Sequence, residues 1–181
     1  MKSPIPMDVI ENLHVSENVL ISGVIYVARD AAHLRLIRSL DKNEALPFDI
    51  AGQTVYYMGP SPAALGQVIG ACGPTTSSRM DMFTPRLLSS GLRAMIGKGD
   101  RSPAVREAIQ KYRAVYFVAT GGAGALLSQS VKKMATVAYP DLGAEAVLRL
   151  VVADFPAIVA YDARGGDVFA EGKARYRRES H

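Results

Sequence analysis

Short runs of hydrophobic residues alternate with amphipathic segments along most of the chain. Residues 19–27 (VLISGVIYV) are apolar and rich in β-branched side chains, a pattern typical of a strand that is covered on both faces. Leu34, Ile37 and Leu40 then recur on one face of a helix, and the carboxylate of Asp30 is in position to cap its first turn. This part of the chain predicts a strand, a cap and a helix, in that order.

The same order is found again near the middle of the chain. Residues 95–97 close a short apolar strand, and a polar turn follows. Residues 103–112 have the pattern of a helix, with Ser102 as its cap and Pro103 at its first position. A second strand-to-helix junction is therefore predicted here.

A third copy begins at residue 114. Residues 114–119 are predicted to form a strand, and residues 124–131 a helix after a glycine turn. Between the first and second copies we expect a strand over residues 55–58 and a helix that begins at Thr84 and stops at Gly91. The segment before Thr84 is predicted to be a helix entrance as well.

The last third of the chain has more strand-like patterns. Residues 135–138 and 149–152 are predicted strands. Residues 157–160 and 167–169 flank an Arg-Gly-Gly turn at 164–166, which favours a hairpin.

Together these elements predict an α/β protein with a single mixed sheet and flanking helices. Right-handed crossovers between strands and helices make part of that sheet parallel. We expect residues 1–16 to be an N-terminal extension, residues 17–172 to form the domain, and residues 173–181 to be a basic C-terminal tail.

Composition and charge narrow the class of protein. The chain has 181 residues, of which 49% are hydrophobic and 21% charged, so disordered and collagen-like classes are excluded. The net charge is +4, and the basic segment 173–178 is expected to be solvated rather than bound to nucleic acid. No run approaches the ~20 apolar residues of a membrane span, and the first residues lack the apolar core of a secretory signal. We expect a cytoplasmic protein that binds neither membrane nor nucleic acid.

Three cationic side chains lie at the predicted strand-to-helix junctions. Arg29, Arg79 and Lys98 would approach one edge of the sheet if their strands are parallel neighbours, and ligands bind at that edge in such sheets. Arginine forks and helix amino ends there would suit a small anion with more than one negative group. The alternative is that each residue is a separate surface cation.

A row of hydroxyl residues precedes Arg79. Thr75, Thr76, Ser77 and Ser78 exceed what a helix cap needs, because one or two hydroxyls are enough for capping. The pattern is open to two interpretations, a cap alone or one wall of the anion site.

Other reactive residues are assigned ordinary roles. Cys72 is the only cysteine, and together with three histidines it cannot hold a metal unaided, so we predict a small buried residue. His33 is expected to make a local hydrogen bond. Gly121, Gly122 and Gly124 do not have the spacing of a dinucleotide loop and predict a tight turn with close packing.

Five motifs along the chain carry a family resemblance. They are, in order, ARDAAHLRL (28–36), CGPTTSSRMD (72–81), MIGKGD (95–100), AYPDLGAEA (138–146) and VADFPAIVAYDARG (152–165). With these motifs the chain resembles the carboxy-terminal part of class I fumarases, which in many bacteria and archaea is a separate chain, the beta subunit of fumarate hydratase or L(+)-tartrate dehydratase. The resemblance implies a swivelling β/β/α fold and a hydro-lyase activity.

The resemblance also implies a cofactor and a partner. The family uses a four-iron four-sulfur cluster held by three cysteines of an alpha subunit, so this chain would bind no cofactor alone and would act only with that subunit. The substrate would be a small 2-hydroxy dicarboxylate, and the choice between malate/fumarate and tartrate is open, as is the assembly into a higher oligomer.

The family pattern further implies roles for five residues. Thr75 would be the base that exchanges the proton on carbon 3, and Lys98 would add charge and help to activate it. Arg29 and Arg79 would hold the substrate carboxylates, and Thr76 would add a hydrogen bond. The alternatives are a non-catalytic dicarboxylate-binding or regulatory module, and a nucleotide-binding domain that uses the glycine turn.

Overall fold

The computed structural model describes residues 1–177. The strands are β1 (Lys2–Ser3), β2 (Asn18–Val27), β3 (Thr54–Tyr56), β4 (Ala94–Gly97), β5 (Val115–Val118), β6 (Val131–Ala138) and β7 (Val147–Tyr161). The α-helices are α1 (Met7–Asn12), α2 (Asp30–Asp41), α3 (Thr84–Ser89), α4 (Pro103–Lys111), α5 (Gly124–Ser128) and α6 (Val168–Tyr176). Two short 3-10 helices span Ser77–Met80 and Pro140–Glu145.

Four parallel strands form the centre of the sheet. The order is β1-β2-β3-β4-β5-β7-β6, and β1 to β5 run parallel to their neighbours in that order. β7 is antiparallel to β5, β6 and β2. Because β7 pairs with both β2 and β5, these strands close a ring of five, β2-β3-β4-β5-β7.

The central strands are covered on both faces, which explains their nearly continuous apolar sequences. One face of β3, β4 and β5 packs against residues of β2 and β7, and the other against helices α2, α3 and α4. Side chains on the first face are Tyr56, Ile96 and Phe117; on the second they are Val55, Met95 and Tyr116. The α/β class and the mixed sheet with flanking helices are therefore confirmed, whereas the swivelling β/β/α type stays a prediction.

The C-terminal hairpin prediction is wrong. Residues 149–152 and 157–160 belong to one long strand, β7, and Asp167 makes only a single bridge to Tyr161 before α6 begins at Val168. Asp167 caps that helix, its carboxylate accepting from the Ala170 amide at 2.8 Å. Capping by an aspartate explains why these residues continue as a helix.

The two ends of the chain differ in how they pack. β1 pairs with β2, and Ile5, Ile10 and Leu13 are buried in the same cluster as the central strands. At the other end, residues 173–176 belong to α6, and residues 178–181 of the predicted tail lie outside the described residues. No helix within residues 1–177 has both the length and the apolar character needed to cross a membrane.

Candidate functional site

The loops that follow three neighbouring parallel strands carry all five predicted site residues. Arg29 follows the end of β2, and Lys98 comes directly after β4. Thr75 is tied to the end of β3, since its amide donates to the carbonyl of Tyr57 at 2.7 Å. The carboxyl ends of parallel strands share one edge of a sheet, so this edge gathers residues far apart in sequence.

The hydroxyl segment runs alongside the loop after β4. Thr76 and Lys98 form a parallel backbone bridge, and the Ser77 amide donates to the Lys98 carbonyl at 2.9 Å. The 3-10 helix Ser77–Met80 then carries Arg79. The segment and the Lys98 loop are thus held together along their backbones.

Arg79 is fixed by a carboxylate on the neighbouring loop. Its Nε donates to Asp30 Oδ1 at 2.9 Å, and its Nη2 lies 2.9 Å from Asp30 Oδ2. Arg29 Nε lies 3.5 Å from the same Asp30 oxygen. Asp30 therefore brings the two predicted carboxylate-binding arginines together, although the sequence pattern gave it only a capping role.

A second carboxylate, from Glu145, holds Arg29 and the start of α2. Glu145 Oε1 lies 3.2 Å from Arg29 Nη2, and its Oε2 accepts from the Ala31 amide at 2.8 Å. The prediction that Asp30 caps α2 is wrong, because its carboxylate faces Arg79 and the residue before the helix makes no side-chain cap. Glu145 satisfies the helix end from the distant 3-10 helix, a contact that the sequence did not predict.

A glycine makes room for the Arg29 side chain. A Cβ at position 59 would crowd Arg29 Nη1 and lie 3.0 Å from the carbonyl oxygen of Ala144. The guanidinium of Arg29 is therefore held between two carboxylates and a glycine backbone. Its side chain is 23% exposed, which leaves part of it open to a ligand.

The remaining three predicted residues have uncommitted polar groups. Within residues 1–177, the hydroxyls of Thr75 and Thr76 and the ammonium of Lys98 make no hydrogen bond or ion pair. Thr75 is half-buried, whereas Thr76 and Lys98 are exposed. The edge thus combines two oriented guanidinium groups with two hydroxyls and an ammonium that are free to meet a ligand.

The interpretation of the hydroxyl row as a helix cap does not hold for Ser77. It is fully buried, its Oγ accepts from the Lys98 amide at 3.1 Å, and the Tyr116 hydroxyl lies 2.8 Å away. The 3-10 helix has no side-chain cap. Sequence reasoning missed Tyr116 because its position in a buried strand gives no sign that the phenol reaches this edge.

Cys72, His33 and the glycine turn have structural surroundings. Cys72 is buried, and burial raises the pKa of its thiol to about 11, which disfavours the reactive thiolate form. His33 Nδ1 lies 3.0 Å from the Arg29 carbonyl oxygen, and burial lowers the pKa of its imidazole to about 4. A Cβ at Gly124 would lie 2.9 Å from the Gly73 amide nitrogen, so the turn packs closely against the start of the hydroxyl segment.

The described residues do not fit a metal centre. Within residues 1–177 no three His, Cys, Asp or Glu side chains come together in a way that could hold a metal ion. An iron-sulfur cluster requires thiolate ligands, and the single thiol, on Cys72, is buried with a raised pKa.

Comparison with known proteins gives the family. The profile of the family described as "Fumarase C-terminus" matches residues 1–172. The chain belongs to the fumarase C-terminus family. The five predicted site residues lie between positions 29 and 98 of this fumarase C-terminal domain.

Relatives of this fumarase C-terminal domain are of two lengths. The aerobic class I fumarate hydratase of Salmonella typhimurium is 40% identical over 159 residues, which is 87% of this chain but 27% of that protein. A Methanocaldococcus jannaschii protein with the provisional name L(+)-tartrate dehydratase subunit beta is 38% identical over 168 residues, 90% of this chain and 86% of that protein. The Escherichia coli L(+)-tartrate dehydratase subunit beta is 28% identical over 178 residues, 96% of this chain and 87% of that subunit. The chain thus spans less than a third of the fumarate hydratase but most of each beta subunit.

Proposed function

We propose that this chain is the beta subunit of a two-chain iron-sulfur hydro-lyase. The enzyme would reversibly dehydrate a 2-hydroxy dicarboxylic acid. The substrate would be either malate, which gives fumarate, or L-tartrate. Membership of the fumarase C-terminus family and similarity to beta subunits over nearly their whole length support this proposal. The observation that carries it is the sheet edge, where two fixed guanidinium groups adjoin the uncommitted groups of Thr75, Thr76 and Lys98.

The arginines would bind the two carboxylates of the substrate. Arg79 already forms a two-pronged contact with Asp30, which sets the plane of its guanidinium. An arginine has five N–H donors, so both arginines retain donors for a substrate carboxylate. Arg29 and Arg79 would therefore act as oriented anion receptors whose side chains lose little freedom when substrate binds.

The dehydration removes a proton from carbon 3 and the hydroxyl from carbon 2; the carbon 2–carbon 3 double bond forms, and the two groups are lost as one water molecule. The cluster of the partner chain would supply the Lewis acid that helps the hydroxyl to leave. Thr75 would take the carbon 3 proton as an alkoxide, with Lys98 and an acid from the partner chain assisting its activation, because an unperturbed threonine hydroxyl is too weak a base. Negative charge then develops on the carboxylate next to carbon 3. Fixed guanidinium donors stabilise that charge more than they stabilise the ground state.

The cluster is assigned to the partner. Cys72 is unsuited to ligate it, so we propose that an alpha subunit holds the four-iron four-sulfur cluster and docks at the exposed edge around Thr76 and Lys98. Thr75, Arg29 and Arg79 would contribute proton transfer and carboxylate binding to the site that the two chains share. We further propose a cytoplasmic location, which suits a buried free thiol, and no nucleic-acid or membrane partner.

Reconstitution tests the proposal directly. The chain and a cluster-bearing alpha subunit are purified separately without oxygen, and dehydration of L-malate and L-tartrate is measured for each subunit and for their mixture. We expect activity in the mixture alone, on one of the two substrates. Hydro-lyase activity in this chain by itself, or none in any mixture despite a stable complex, would contradict the proposal. In the second case, dicarboxylate binding measured by calorimetry would favour a regulatory module.

A further inference from the structure

A buried phenol connects the two loops that carry the proposed catalytic groups. We propose that Tyr116, acting through Ser77, is a positioning residue that sets the Lys98 loop against the Thr75 segment. This inference rests on the proposed function for its kinetic consequence. The structural tie itself is open to test in the isolated chain.

The tie is a chain of three hydrogen bonds. The Lys98 amide donates to Ser77 Oγ at 3.1 Å, and the Tyr116 hydroxyl lies 2.8 Å from Ser77 Oγ and 2.9 Å from the Gly99 carbonyl oxygen. A phenol has a single hydrogen, so both of its contacts are satisfied when it donates to Gly99 and accepts from Ser77. The hydroxyls of Ser77 and Tyr116 then each donate once and accept at least once.

Gly97 makes this arrangement sterically possible. A Cβ at position 97 would overlap Ser77 Oγ and lie 3.0 Å from a ring carbon of Tyr57. Only glycine at position 97 lets the Ser77 hydroxyl reach the Lys98 amide. The close approach of Ser77 to the end of β4 therefore requires glycine at position 97. A serine that only capped a helix would not require it.

A buried ion pair joins the same two loops at their far ends. The Arg101 side chain is fully buried, its Nε donates to Asp81 Oδ1 at 2.7 Å, and the Ser102 amide donates to Asp81 Oδ2 at 2.6 Å. The Arg101 guanidinium also lies 4.9 Å from the ring centroid of Tyr116. Tyr116 is therefore confined by its ring as well as by its hydroxyl.

The phenol remains protonated at neutral pH. Burial raises the pKa of Tyr116, and this effect outweighs the lowering by the Ser77 hydrogen bond and the Arg101 charge. Tyr116 can therefore donate to Gly99 across the working range of an enzyme.

Loss of the Tyr116 hydroxyl should affect turnover more than substrate binding. Arg29 and Arg79 are oriented by Asp30 and Glu145, which Tyr116 does not contact, so substrate binding should survive loss of its hydroxyl. The Lys98 loop would shift relative to the Thr75 segment, which stays anchored to Asp30 through Arg79, and a misplacement of about 1 Å can cost a hundredfold in rate. Loss of the hydroxyl should therefore lower kcat and leave KM nearly unchanged.

The test compares Tyr116→Phe with wild type in the complex with the alpha subunit. We expect kcat to fall by roughly tenfold or more, KM to stay within about threefold, and Tyr112→Phe, a tyrosine outside this cluster, to behave as wild type. Ser77→Ala should reproduce the kcat loss, and the double variant should be no worse than the worse single one. If Tyr116→Phe fails to fold, Ser77→Ala alone tests the proposal. A wild-type kcat in the Tyr116→Phe complex would overturn the proposal. A loss of kcat in Tyr112→Phe as large as that in Tyr116→Phe would overturn it as well.

Hydrogen exchange separates this inference from the proposed function. In the isolated chain, the Lys98 amide should exchange faster in Ser77→Ala and Tyr116→Phe than in wild type or Tyr112→Phe. If wild type proves inactive with every partner, the proposed function fails while faster exchange still supports the tie. Unchanged exchange at Lys98 in both variants would refute the tie whatever the activity.

Discussion

At the scale of single residues, two carboxylates determine how the candidate site presents its positive charge. Asp30 and Glu145 hold Arg79 and Arg29 in place before any ligand arrives. A substrate carboxylate would then add to an existing charge network rather than gather flexible side chains. Part of its electrostatic gain is offset, because Asp30 and Glu145 also repel an anion.

The sequence and its family resemblance predict five site residues, and the structure places them along one edge of the sheet, but their neighbours were not predicted. Arg29 and Lys98 lie close behind apolar strands, and parallel pairing brings such positions to one edge. Arg79 instead follows a hydroxyl-rich segment. Glu145 is separated from Arg29 by most of the chain, and its contact depends on where the second 3-10 helix packs. No periodicity or motif spacing encodes such a contact.

His33 gives a prediction at the residue scale. Burial lowers its pKa from the ordinary 6.5 to about 4, so the folded chain stays neutral at this position while the unfolded chain takes up a proton. Stability is therefore lost as the pH falls from about 6.5 to 4, by roughly 3 kcal/mol from this residue. His33→Gln should have a free energy of unfolding that declines less over this interval, as measured by urea denaturation at several pH values.

His14 provides the matched control for that experiment. Its side chain is 58% exposed, so His14→Gln should keep the wild-type decline with acidification. An identical pH dependence in wild type and His33→Gln would show that burial of His33 does not control acid stability.

At the scale of elements, the fold follows from strand-to-helix junctions that the sequence displays. The apolar runs of β2, β4 and β5 and the amphipathic pattern of α2 and α4 were sufficient to predict them within a few residues. The closing of the ring by β7 was not predictable, because a strand of 15 residues with three partners leaves no pattern that distinguishes those partners. The C-terminal hairpin was mistaken because a turn signal at 164–166 does not reveal which element follows it.

The first helix gives a prediction at this scale. Ile10 on α1 is fully buried against the central strands, although residues 1–16 were expected to be an extension. Ile10→Ala should cost about 2–5 kcal/mol in the free energy of unfolding, since it removes a buried side chain and leaves a cavity. Met7→Ala on the same helix, where the side chain is 38% exposed, should cost under about 1 kcal/mol. Equal small losses in both variants, measured by chemical denaturation, would show that α1 contributes little to the core.

At the scale of the whole molecule, we propose that the chain supplies half of an active site. It supplies cations and hydroxyls on an open sheet edge, and its one thiol is buried away from any role as a metal ligand. The chain shares its family with a fumarate hydratase that is several times as long. This difference in length is consistent with a site that another polypeptide completes. The division of the site between two chains stays a prediction of the family resemblance, because no residue pattern of a single chain encodes the surface on which a partner docks.

The central claim is that Thr75 provides the base for a site shared with an alpha subunit. The most direct measurement is turnover of the reconstituted complex with Thr75→Ala, alongside Ser78→Ala, an exposed hydroxyl of the same segment. Both variants should assemble normally with the alpha subunit. Thr75→Ala should lower kcat by roughly 100-fold or more, whereas Ser78→Ala should keep wild-type turnover. A Thr75→Ala complex that assembles and turns over at the wild-type rate would contradict the central claim.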